Sequence, residues 1–125
     1  MGTFTVSVQI GDLAGAQFIE VEALVDTGST YSTLPINIVS QIGIEQHGVR
    51  RFELADNRIV EYPVGYAQIR LEGQETLTQV VFAPEDTAPV IGATTLQLLS
   101  LGVDPVNHRL IPIPALMKLD SMEEP

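Results

Sequence analysis

Polar and apolar residues alternate strictly from Thr3 to Ile10, the pattern of a strand buried on one face. Gly11 and Asp12 supply a turn, and Gln17 to Val25 reads as the returning strand. A helical pattern follows Pro35, whose fixed φ suits a first helical turn. Ile36, Val39 and Ile42 then fall on one face, and Gly43 is placed to cap the end. Between Arg50 and Glu72 two strand patterns are broken by Ala55-Asp56-Asn57-Arg58, where Asp and Asn favour a hairpin turn. Ile69 and Leu71, then Leu77, Val80 and Phe82, predict a further hairpin around Gly73. A polar loop from Pro84 to Pro89 leads into Val90-Ile91-Gly92. Thr94 or Thr95 is placed to cap a helix carrying Leu96, Leu98, Leu99 and Leu101, with Gly102 as its stop. Helical spacing makes those leucines core residues. Arg109 to Pro112 reads as one last short strand. Many short strands with turn signals throughout predict a mainly-β fold, a closed barrel with one short C-terminal helix.

The length of 125 residues fits one domain, taken as residues 1–117, with an acidic tail over 118–125 that is expected to fray. Sixteen acidic residues against six basic ones give a net charge of −10. That balance speaks against nucleic acid, whose phosphates would repel it, and against anionic membrane surfaces. There is no cysteine, hence no disulfide framework and no thiolate chemistry. The alternating start is unlike a signal peptide, Val6 does not fit a myristoylation signal, and no apolar run approaches membrane-spanning length, so a soluble cytoplasmic protein is expected. His47 and His108 stand alone in Gln46-His47-Gly48 and Asn107-His108-Arg109, a spacing that reads as solvated loop residues; no metal or cofactor is expected. Neither a Gly-x-Ser-x-Gly elbow nor a phosphate-binding glycine loop occurs.

The candidate chemistry lies in Leu24-Val25-Asp26-Thr27-Gly28-Ser29-Thr30. An apolar run ends abruptly in an acid, two hydroxyls and a glycine that lets the backbone turn sharply and approach a substrate closely. Asp-Thr-Gly-Ser is also ordinary turn chemistry. The flanks extend the signal: Leu34 and Pro35 follow, and Val90-Ile91-Gly92 lies far downstream, running into the Ala93 to Gly102 helical pattern. Together these two elements resemble the retropepsins, the retroviral-type aspartic proteases, and most closely their small prokaryotic relatives. The resemblance extends from about Phe4 to Ile111. One position departs from the pattern: many retropepsins carry Arg after the late glycine, where this chain has Ala93. The ion pair such an Arg makes near the dimer interface is therefore missing or replaced.

The resemblance implies a retropepsin-like barrel with Asp26 as the catalytic residue, Thr27, Gly28 and Ser29 supporting its loop, and Val90, Ile91 and Gly92 bracing it. Peptide hydrolysis by a carboxylate pair needs one ionised and one protonated acid. The chain has one such loop. Asp12, Asp56, Asp86, Asp104 and Asp120 lie in turns or tail without its flanks. The second carboxylate must then come from a second chain, across a two-fold axis that pairs Asp26 with itself. The turn at Ala55-Asp56-Asn57 would be the tip of a flap hairpin over a peptide substrate. The expected function is a homodimeric aspartic endopeptidase; the alternative is a catalytically silent barrel of the same type that binds peptides or dimerises.

Overall fold

The alternating start of the chain forms β1 (Phe4–Gly11), which pairs antiparallel with β2 (Phe18–Val25) so that Val8 faces Val21 and Ile10 faces Ile19. The structure, a computed structural model, describes residues 3–115, 117 and 118. The tail expected over 118–125 therefore lies, apart from Lys118, outside the described residues. Asp12 makes the first turn: its carbonyl accepts from Gly15 N–H at 3.0 Å and its carboxylate from Ala16 N–H at 3.0 Å.

A short strand, β3 (Ser32–Pro35), precedes the first helix, α1 (Ile36–Ile42). Pro35 closes the strand and stands just before the helix rather than inside it, with Gly43 capping the far end in the left-handed region at φ 85°. Val39 and Ile42 are buried as the pattern requires, while Ile36 is exposed. Next come β4 (Gln46–Glu53) and β5 (Ile59–Leu71), antiparallel across the predicted hairpin. β4 begins four residues before the expected Arg50, so His47 belongs to a strand rather than a loop; it lies at a bulge between Gln46 and Gly48 and meets Tyr66 edge-on. β5 returns into β6 (Gln74–Ala83) through Glu72 and Gly73, both at positive φ, the two-residue hairpin turn expected around Gly73.

The last third departs further from expectation. β7 (Val90–Ile91) leads into α2 (Ala93–Leu98), which starts after Gly92 and not at a Thr94 or Thr95 cap. α2 stops at Leu98, because Ser100 turns left-handed at φ 57° and its carbonyl accepts a hydrogen bond from Ile113 N–H at 2.9 Å. Leu101 and Gly102, expected to end the helix, instead open β8 (Leu101–Asp104), which pairs with β9 (Arg109–Pro112) as a separate two-stranded sheet. Leu96, Leu99 and Leu101 are buried, but Leu98 is half exposed. At the β8–β9 turn, the Asn107 side-chain amide and the Asn107 and Val106 backbone N–H groups donate to Asp104 and hold its carboxyl below the usual carboxylate range.

The seven strands β1 to β7 form one sheet in the order β1-β2-β7-β3-β6-β5-β4, and β1 also pairs with β5, so six of them are joined in a ring of backbone pairings. Ile10, Leu34, Ile69, Ile91, Val8 and Val80 fill its interior, each almost wholly out of solvent. No helix among the described residues is long and apolar enough to cross a membrane. Ile10 and Ile69 face each other where β1 meets β5. Ile69→Ala removes buried methyl groups there and is expected to cost about 2–5 kcal/mol. Urea denaturation at fixed protein concentration measures it; a midpoint equal to that of the parent would contradict this account of the core.

Candidate active site

β2 delivers Asp26, and β7 holds it there. The two strands run parallel, Leu24 beside Val90 and Val25 beside Ile91. Asp26 N–H continues that ladder by donating to the Ile91 carbonyl at 3.0 Å. Val25 and Ile91 are buried, Asp26 is half-buried, and Thr27 and Gly28 are exposed, so the acid stands where the core opens to solvent. The loop then folds on itself: Gly28 N–H donates to Asp26 Oδ1 at 3.0 Å and Ser29 N–H to the Asp26 carbonyl at 3.1 Å. Ser29 Oγ donates to the Tyr31 carbonyl at 2.8 Å. Among the described residues only one carboxylate oxygen of Asp26 is thus engaged.

The downstream element closes on this loop from behind. Ala93 N–H donates to the Ser29 carbonyl at 2.7 Å and Thr94 N–H to the Thr30 carbonyl at 3.1 Å. Gly92 N–H donates to Ser32 Oγ at 3.0 Å, and Ser32 Oγ lies 2.5 Å from Thr95 Oγ1. Both hydroxyls are fully buried, so each answers a polar group that would otherwise be stranded in the core. A Cβ on Gly92 would stand 2.6 Å from the Tyr31 carbonyl oxygen and 2.7 Å from that of Ser29. Val90, Ile91 and Gly92 therefore stand against the Asp26 loop.

Two clefts meet at Asp26 and Gly28. One, of about 530 Å³, runs beneath the β4–β5 hairpin and is walled by Tyr31, Phe52, Leu54, Tyr62 and Val81. The other, of about 520 Å³, lies toward Phe4, Val103 and Pro105 and also takes in Thr27. Of the three hairpin-tip residues, Ala55 lines the first cleft beside Asp26. Asp56 and Asn57 build the turn: Asn57 sits at φ 69° with its N–H on the Leu54 carbonyl at 2.9 Å, and Asp56 pairs with Arg58 at 2.7 Å. The aromatic wall, Tyr31, Phe52 and Tyr62, was not singled out from the sequence. Its one linear signal is the alternation of Arg50, Phe52 and Leu54, which sets them on one face. Among the described residues, no three His, Cys, Asp or Glu side chains are grouped so as to hold a metal ion.

The chain belongs to the aspartyl protease family, whose model matches residues 6–104. Its fold is that of the retropepsin-like enzymes. The simian foamy virus protease superposes with a TM-score of 0.54 at 14% identity, over 77% of this chain and 94% of that one. EIAV protease, complexed with the inhibitor HBY-793, gives 0.52 at 20% identity, over 78% of this chain and 88% of that one. A retropepsin-like aspartic protease from Rickettsia conorii gives 0.53 at 14% identity, over 82% and 88%. No curated protein matches the chain.

Ser32→Ala would strand the Gly92 N–H and the Thr95 hydroxyl in the core. It is expected to cost about 1–3 kcal/mol of stability, the penalty of unpaired buried groups. Thr95→Ser, which keeps the hydroxyl, is expected to cost less. Denaturation of the two variants side by side decides it, and equal losses would remove the hydroxyl pair from the account.

Proposed function

We propose that this protein is a homodimeric aspartic endopeptidase in which the Asp26 side chains of two copies meet across a two-fold axis and hydrolyse a peptide bond between them. The observation that carries the reading is the single Asp26-Thr27-Gly28 loop, braced from behind and opening onto the hairpin-covered cleft. In this reading the protease domain spans residues 1–117, the ring of strands is a closed barrel, and the β4–β5 hairpin is the flap, with Ala55, Asp56 and Asn57 at its tip.

The chemistry follows from two carboxyls sharing one proton. The ionised Asp26 takes a proton from water as the water oxygen attacks the scissile carbonyl carbon. The protonated Asp26 of the second copy gives its proton to the carbonyl oxygen, so charge does not accumulate on the tetrahedral intermediate. Collapse breaks the C–N bond, with the proton passed to the leaving amine. The Gly28 N–H on Asp26 Oδ1 fixes the carboxylate's orientation, while the ladder bond to Ile91 fixes its depth. Thr27 lies exposed beside the second cleft, where its hydroxyl would bond to the partner loop.

Cleavage of a mixed peptide library by the parent and by Asp26→Asn is the direct test. The Asn variant is expected to fold and dimerise but to show no cleavage above background. Cutting by it at the parent rate would exclude the mechanism. No cutting by a parent shown to be dimeric would favour a silent peptide-binding barrel.

Specific activity should fall on dilution below the dimer dissociation constant, since one chain holds one carboxyl. The pH profile should be bell-shaped. At high pH both aspartates are ionised and no acid polarises the carbonyl; at low pH both are protonated and no base activates water. Full activity from a monomer by light scattering, or a rate still rising at alkaline pH, would exclude a shared pair.

Thr27→Val should weaken the dimer by about 1–3 kcal/mol, the cost of stranding the partners of a lost hydroxyl. Thr27→Ser should be mild. Sedimentation equilibrium on the two variants separates these outcomes, and equal weakening would deny the hydroxyl that role.

A further inference from the structure

The cleft beneath the hairpin has an aromatic wall, and a cation lies just outside its lining, over one of the rings. Tyr31 meets Phe52 edge-on at 5.6 Å between ring centroids, and Phe52 meets Tyr62 at 6.4 Å. The Arg50 guanidinium lies over the Tyr31 ring, 5.2 Å from its centroid, and Arg50 stands opposite Tyr62 in the β4–β5 ladder. Among the described residues Arg58, Arg70 and Arg109 each have a carboxylate within ion-pairing distance; Arg50 and Arg51 have none, and of these two only Arg50 lies over a cleft ring. Over the Tyr31 ring the guanidinium has no carboxylate partner among the described residues, and its fork of donors matches a carboxylate's two oxygens.

We propose that Arg50 is a specificity-determining residue, receiving the carboxylate of an Asp or Glu side chain on the peptide whose neighbouring apolar side chains rest against Phe52 and Tyr62. This rests on reading the cleft as the substrate site of an aspartic endopeptidase, and it narrows the substrate class to peptides that carry an acid beside apolar residues. The acid is confined to one position. Arg50 offers its donors at one place only, beside Tyr31 and across the ladder from Tyr62. The net charge of −10 disfavours acidic peptides at long range, so a preference for acid at a single position reports short-range pairing.

Peptides are selected from a library by binding to the dimerised Asp26→Asn protein, then remade with Glu, Gln or Lys at each position in turn. Fluorescence anisotropy on Asp26→Asn is expected to show one position where Glu binds about fivefold tighter than Gln, the scale of an exposed ion pair. The parent should show the same ratio in kcat/KM, carried by KM. Adding Arg50→Gln should erase the ratio, and adding Arg50→Glu should transfer the preference to Lys. Arg51→Gln removes the same charge from the opposite face of β4 and should leave the ratio intact. Glu and Gln binding alike at every position, the ratio surviving Arg50→Gln, the ratio falling equally with Arg51→Gln, or no library peptide binding would each overturn the proposal. A preference that depends on Arg50 in binding, from a parent that cuts nothing, would uphold the acid subsite and defeat the endopeptidase reading.

Discussion

The close approach of Gly92 to the Asp26 loop is the constraint on which the site depends. With no Cβ, the start of α2 lies directly against the carbonyls of Ser29 and Tyr31. That proximity is what lets Ala93 and Thr94 donate to Ser29 and Thr30 and brings Gly92 N–H onto Ser32 Oγ. Segments sixty or more positions apart in the chain are thereby joined largely through backbone groups, which do not change rotamer. Ser32 and Thr95 complete the junction inside an apolar core, where an unpaired hydroxyl would cost more than the pair gains.

Because the backbone carries the brace, the acid itself is left half open. Asp26 N–H belongs to the β2–β7 ladder, its Oδ1 is held by Gly28, and its loop carbonyls are taken by Ser29 and α2, yet Thr27 and Gly28 remain exposed. A group placed by strand ladders keeps its geometry better than one held by long side chains, and precise placement is what chemistry at a carboxylate pair requires. These two exposed residues lie beside a cleft that reaches Phe4 and Val103.

The Asp26 loop and its downstream brace could be read from the sequence because both are local: an apolar run that stops at Asp-Thr-Gly, and another that stops at Gly92. The hairpins at 54–58 and 72–73 were legible for the same reason, since turn residues interrupt alternation. β3 was not legible, because Ser32 to Pro35 has no periodicity of its own and is a strand only through its pairing with β6 and β7. The end of α2 was misread because a serine, and not the expected glycine, takes the left-handed position, its carbonyl engaged by Ile113 from outside the helix. Thr95 has the chemistry of a cap but is drawn into the core by Ser32. The aromatic wall escaped because Tyr31 and Phe52 belong to different segments that meet only in the folded chain.

Charge in this molecule acts at two ranges, and they work in opposite directions at the cleft. Sixteen acids surround the fold with a negative field that salt screens within about 8 Å at physiological strength. Three of the six basic residues, Arg50, Arg51 and Arg58, lie in the β4–β5 hairpin region. Arg58 is paired with Asp56 at the tip, whereas Arg50 lies over Tyr31, whose ring lines the cleft. On the proposed reading, an incoming acidic peptide meets repulsion at a distance and a matched donor only at contact. Under that arrangement the wall selects by position and not by overall charge, because the favourable term exists only where a carboxylate reaches the Arg50 edge while its neighbours lie on the aromatic rings.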